Sequence, residues 1–130
     1  MERILIVDDT LVSRELLAGL MEEEYEIIFA RNGREALGIL QIQIGKISAV
    51  LLDLIMPGMN GFEFLEAVKE KGWQDKFPVV VVSAEDSPGS RVECAKYGVK
   101  HFILKPFRRE DAFKEIECAI LEYKDKNSES

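Results

Sequence analysis

The stretch 49-AVLLDLIMPGMNGFEFLEAV-68 changes its period part-way along. Ala49 to Leu52 is an unbroken apolar run, the pattern of a strand covered on both faces in a parallel sheet. It stops abruptly at Asp53, and Pro57, Gly58 and Asn60 then mark a loop. Asn60 and Glu63 stand at capping-box spacing, and Phe62, Leu65 and Val68 follow at helical intervals. The segment therefore predicts a buried strand, a loop headed by a carboxylate, and a helix.

The same unit recurs to either side. Ile4 to Val7, Glu26 to Phe29, Val79 to Val82 and His101 to Leu104 also read as strands, the second, beside acidic residues, as an edge. Helical spacing appears in Leu16, Leu17, Leu20 and Met21, in Ala36, Leu37 and Leu40, and in Phe113, Ile116, Ile120 and Tyr123. Asn32 with Glu35 repeats the capping-box spacing, and Ser87 precedes Pro88 as an N-cap precedes N1. Five alternations of strand and helix predict a doubly wound α/β domain, an open parallel sheet with five helices shared between its two faces.

Bulk properties agree. At 130 residues the chain suits one compact domain, and 47% hydrophobic with 32% charged residues is the balance of a globule. The domain is expected over residues 1–123, with 124–130 a polar tail or truncated linker. A net charge of −7 argues against direct nucleic-acid binding or capture by an anionic membrane and favours cations and basic partners. No apolar run approaches the roughly 20 residues of a membrane helix, and Glu2-Arg3 leads into no cleavage-site pattern, so the expected location is cytoplasmic. Cys94 and Cys118, far apart in sequence, are read as reduced thiols without a chemical role.

In sheets of this kind the binding crevice lies beyond the carboxyl ends of the strands. The first strand ends in Asp8-Asp9, the third in Asp53, the fourth in Ser83-Ala84 and the fifth in Lys105-Pro106-Phe107. Three carboxylates in one crevice repel one another, and a hard divalent cation with oxygen ligands resolves the repulsion. Mg²⁺ suits such a site because it keeps waters and takes a phosphate oxygen, with Mn²⁺ a substitute. Its charge would leave a carboxylate free to attack phosphorus, with Lys105 as the second cation and Ser83 and the Ala84 N–H as donors to the phosphoryl oxygens.

Val7-Asp8-Asp9, the run Leu52-Asp53-Leu54-Ile55-Met56-Pro57-Gly58-Met59-Asn60-Gly61, Val82-Ser83-Ala84 and Lys105-Pro106-Phe107 resemble, in order and spacing, the receiver domains of two-component response regulators. The likeness runs from about Arg3 to Leu121. It implies a flavodoxin-like strand order of 2-1-3-4-5 and Asp53 as phosphoacceptor. It places Mg²⁺ on Asp9, Asp53 and the backbone carbonyl of Ile55, with Asp8 assisting, and the phosphoryl group against Ser83, Ala84 and Lys105. It implies a cis peptide before Pro106, and Ser83 and Phe102 as carriers of a change on the face formed by the fourth helix, fifth strand and fifth helix. Ile55 and Glu85 would flank the path of an attacking water, and Phe102 lacks the hydroxyl of the Tyr that many receivers carry there.

The implied partners are a sensor histidine kinase or phosphotransfer protein, and a downstream protein target or missing output domain, with a phosphorylation-dependent dimer as a further state. The implied role is a switch that promotes only its own phosphorylation and dephosphorylation, not an enzyme. Driving such a switch from about 1:99 to 99:1 takes roughly 5.5 kcal/mol, whereas one charge-assisted hydrogen bond contributes about 1.5–3 kcal/mol, so Ser83 cannot do this alone.

Three other readings compete. An aspartyl-phosphate phosphatase or phosphotransferase generally shows D-x-D after its first strand and a cap segment, and this chain has neither. A flavin carrier needs a phosphate loop after strand one, where Asp8-Asp9-Thr10 would repel phosphate. A phosphorylation-independent pseudo-receiver is at odds with the presence of Asp9, Asp53, Ser83 and Lys105 together. Met56 and Met59 are read as packing and loop residues, His101 as no phosphorelay group, and Arg108-Arg109 as a solvated helix start.

Overall fold

A computed structural model describes residues 2–56, 58–84 and 87–128. The elements are β1 (Arg3–Val7), α1 (Leu11–Met21), β2 (Glu26–Ala30), α2 (Gly33–Gln43), a 3₁₀ turn (Ile44–Lys46), β3 (Ile47–Leu52), α3 (Gly61–Glu70), β4 (Val79–Ser83), α4 (Pro88–Ala95), β5 (His101–Leu104) and α5 (Arg109–Ser128). The strands form one parallel sheet in the order β2-β1-β3-β4-β5.

Side chains along the central strands alternate between two cores. Ile4, Ile6, Ala49, Leu51, Val80 and Val82 face the layer of α1 and α5, where Leu17, Met21, Ile116 and Ile120 cover them. Leu5, Val7, Val50, Leu52 and Val81 face α2, α3 and α4 through Leu40, Phe64, Leu65, Val68 and Cys94. Both sets are buried, which is why these strands read as continuous apolar runs.

The helix starts follow the chemistry read from the sequence. The Asn60 side chain accepts from the Glu63 N–H and the Glu63 carboxylate accepts from the Asn60 N–H, a complete capping box. Ser87 accepts from the Ser90 N–H ahead of Pro88. Asn32 caps α2 through the Glu35 N–H, but the Glu35 carboxylate takes the Arg31 N–H instead of closing the box.

Two expectations change. The segment after Tyr123, expected as a polar tail or truncated linker, is helical as far as Ser128, with Lys124 Nζ 3.4 Å from Glu2 Oε2 and Asn127 Nδ2 donating to the Tyr123 carbonyl. β5 is an edge as well as β2, as the order 2-1-3-4-5 implies, and Leu104 is accordingly 47% exposed. Leu16 lies outside the buried stripe of α1, which consists of Leu17, Ala18 and Met21.

Candidate functional site

The sheet ladder runs one residue beyond the strands and sets the site. Val7 pairs with Leu52 and with Ala30, so the next residues, Asp8 and Asp53, emerge side by side. The Asp8 N–H donates to the Ala30 carbonyl at 3.0 Å and the Asp53 N–H to the Val7 carbonyl at 2.9 Å. On the far side Ser83 pairs with Leu104, and the Lys105 N–H donates to the Ser83 carbonyl at 2.9 Å. β1 lies between β2 and β3, so the cluster sits where the chain reverses direction across the sheet.

Each buried carboxylate is held by its own loop. Asp8 Oδ1 accepts from the Thr10 N–H at 2.8 Å, and Asp53 Oδ1 accepts from the Ile55 N–H at 3.0 Å, each an aspartate bonded two residues ahead. Their second oxygens share one donor: Lys105 Nζ is 2.8 Å from Asp8 Oδ2 and 3.3 Å from Asp53 Oδ2. The Lys105-Pro106 peptide is cis, as the resemblance implied.

Asp9 joins the cluster from the exposed rim. Asp8, Asp9 and Asp53 each offer an oxygen within 4.8 Å of the others. Three carboxylates against one ammonium leave a surplus of two negative charges, and the donors are all hard oxygens. That donor set fits a divalent cation of the Mg²⁺ type.

Burial pushes the Asp53 carboxyl up from its ordinary value and the Asp8 charge adds to this, while the Ile55 N–H and the Lys105 ammonium pull it back. Burial works against the Lys105 charge, yet the hydrogen bond to Asp8 and the two nearby carboxylates outweigh it, so the ammonium is held above its usual range. Burial thus disfavours the charge on Asp53, while the neighbouring carboxylates favour the charge on Lys105.

Ser83 is buried on the rim beside the cluster and Ala84 is exposed next to it. Phe102, on β5, is half-buried under the Arg91 guanidinium. Ile55 is 57% exposed above Asp53 in sequence, whereas Glu85 and Pro57 lie outside the described residues. Met56 is buried in the core and Met59 packs against it, as expected of packing residues. His101 stands apart from the cluster, its ring between the carboxylates of Glu115 at 2.9 Å and Glu122 at 2.8 Å.

One contributor had no side-chain signal. A Cβ on Gly61 would lie 2.7 Å from Leu54 Cα and 2.8 Å from the Asp53 carbonyl oxygen, and the Gly61 N–H donates to the Leu54 carbonyl at 3.1 Å. The start of α3 is thus pressed against the backbone that carries Asp53. The Asn60-Gly61 pair announced a helix cap in the sequence, but only the fold reveals what the glycine touches.

Residues 4–117 match the family described as the response regulator receiver domain. The chain belongs to that family. This receiver is 33% identical over 109 residues to the two-component response regulator ORR3 of Oryza sativa subsp. indica, covering 83% of this chain and 82% of that protein. Its fold is similar to the chemotaxis protein CheY4 of Vibrio cholerae, with a TM-score of 0.82, 30% identity, and 92% and 98% of the two chains covered. It is also similar to a chain of the CheX-CheY-BeF3-Mg²⁺ complex from Borrelia burgdorferi, with a TM-score of 0.81, 29% identity, and 88% and 86% covered. A phosphoacceptor signalling role belongs to the family, and receivers are signalling switches that generally bind Mg²⁺. Among the described residues no helix is long and apolar enough to cross a membrane.

Proposed function

We propose that the receiver takes a phosphoryl group onto Asp53 from the phosphohistidine of a sensor histidine kinase or phosphotransfer protein, in a reaction that requires Mg²⁺, with Mn²⁺ able to replace it. The observation that carries this reading is the single lysine bridging two buried carboxylates at the lip of β1 and β3. Asp9, Asp53 and the Ile55 carbonyl would hold the dication, with Asp8 assisting, and it would neutralise charge among the three carboxylates.

Asp53 acts as the nucleophile: a carboxylate oxygen forms the bond to phosphorus as the P–N bond of the donor breaks and the imidazole leaves with a proton. The Ile55 N–H and Lys105 fix the direction of the Asp53 carboxylate before reaction, which removes an orientation cost. Lys105 then draws charge from the transferred oxygens, with Ser83 and the Ala84 N–H as further donors. Exposed Leu11, Val12 and Leu16 give α1, which starts just past Asp9, an apolar surface suited to a docking phosphodonor protein.

The output follows from Ser83 turning toward the phosphoryl group and Phe102 turning inward, altering the face of α4, β5 and α5 that a target protein, an output domain or a second receiver would read. The similar CheY chain from Borrelia burgdorferi is found in complex with CheX, BeF3 and Mg²⁺, which supports a site that takes a dication. The test is intact-protein mass after incubation with a small phosphodonor. The reading predicts one phosphoryl adduct with Mg²⁺, and none with a chelator or in Asp53→Asn. An unmodified native chain would instead favour a module that acts by contact alone.

A further inference from the structure

Phe102 has no hydroxyl, so its ring engages a cation through its negative π face. That face is occupied. The Arg91 guanidinium carbon lies 4.6 Å from the ring centroid, well inside the range of a cation–π contact. Arg91 belongs to the first half of α4, whose start is fixed by Ser87 accepting the Ser90 N–H at 3.1 Å, with Ser90 itself buried.

Beside this pair is a half-open dent of about 10 Å³ bordered by Ser83, Leu54, Val81, Ser90, Arg91 and Phe102. Such a space holds about one water and not an aromatic ring. The ring can enter only if Ser83 and α4 yield room. Entering also takes it from beneath the guanidinium, unless α4 moves with it.

We infer that Arg91 is a positioning residue that latches the Phe102 ring outward and so ties the ring to α4. This rests on the proposed reading of Asp53 as phosphoacceptor and Phe102 as the moving ring. The contact joins a cation to a π face, so it biases the two ring states through the ring itself. A partly exposed cation–π pair corresponds to roughly a two- to fivefold change in the ratio of ring states.

The test uses amide NMR shifts of Ser83, Phe102 and Ile103 in the full chain, with native protein alone and native protein with beryllofluoride and Mg²⁺ as endpoints. Arg91→Met should move these shifts part of the way along the line toward the bound endpoint, while Arg91→Lys, which keeps the cation, should stay near the free one. In a Phe102→Leu background Arg91→Met should have no such effect, because the ring is gone; this cycle isolates the pair from any other contact of Arg91.

Shifts unmoved by Arg91→Met, or moved equally in the Phe102→Leu background, would overturn the latch. In that event a normal phosphoryl adduct on Arg91→Met shows that the phosphoacceptor reading stands without it. Native shifts that do not respond to beryllofluoride and Mg²⁺ would remove the underlying reading, and the latch with it.

Discussion

Lys105 Nζ lies 3.3 Å from Asp53 Oδ2, although the two residues are 52 positions apart in the chain. The contact exists because β5 and β3 flank β4 in one parallel sheet, so their carboxyl ends share a rim. The same ammonium holds Asp8 Oδ2 at 2.8 Å.

Lys105→Met removes this cation while keeping most of the side-chain length. Phosphorylation by a small phosphodonor should slow by about 10²-fold, the lower end of the loss when one preorganised electrostatic donor is deleted. The check is the rate of adduct formation at saturating Mg²⁺. Asp53→Asn, by contrast, should abolish the adduct at every Mg²⁺ concentration.

The raised Asp53 carboxyl makes a prediction about stability. A carboxyl raised in the folded state contributes stability below its unfolded value, and that contribution is lost as pH rises through the folded value, leaving an ionised Asp53 that costs stability at neutral pH. Asp53→Asn should therefore raise the thermal midpoint by a few degrees at pH 7 without Mg²⁺. The advantage should shrink as pH falls into the carboxylate range. Mg²⁺ should raise the midpoint of the native chain more than that of Asp53→Asn, because binding to the folded state stabilises it. Thermal melts of both proteins at two pH values, with and without Mg²⁺, decide the matter.

Much of this was legible in the sequence because the strands are covered on both faces. Burial forces continuous apolar runs, and each run ends where backbone and side chains meet solvent, so Asp8, Asp53, Ser83 and Lys105 stood out by position. β5 was read at its observed bounds, whereas β3, read as Ala49 to Leu52, begins at Ile47 because the polar Ser48 interrupts its apolar run. The end of α5 was misjudged because Lys124-Asp125-Lys126-Asn127 has no apolar stripe. Its ties to the rest of the domain are the Lys124–Glu2 ion pair and, just before it, the Tyr123 hydroxyl donating to the Asp75 carbonyl, which no helical period announces. The Arg91–Phe102 contact spans two elements and left no local pattern.

Gly61 offers a test of how the backbone supports the site. Gly61→Ala puts a methyl against Leu54 Cα and the Asp53 carbonyl, neither of which can rotate away. Overpacking of this kind costs roughly 1–3 kcal/mol, so urea unfolding should show a lower midpoint with an unchanged slope. Because the displaced backbone carries Asp53, adduct formation should slow as well. Gly38→Ala, where a Cβ meets nothing within 4 Å, should affect neither.

Ser83 separates acceptance from response. Ser83→Ala removes one donor to the phosphoryl oxygens, about 1.5–3 kcal/mol for a charge-assisted bond, while Asp53 and Lys105 remain. The adduct should still form, several-fold more slowly. The shifts of Phe102 and Ile103 on adding beryllofluoride and Mg²⁺ should fall well short of the native change. Amide NMR on the two proteins measures both.

In the proposed reaction phosphorus is carried by Asp53 itself. Borohydride reduces an aspartyl phosphate to homoserine, and peptide mass mapping then reports the position. After treatment with a small phosphodonor and Mg²⁺, homoserine should appear at position 53 alone, and nowhere in a chelator control. Homoserine at Asp8 or Asp9, or none anywhere despite Mg²⁺, would contradict the account.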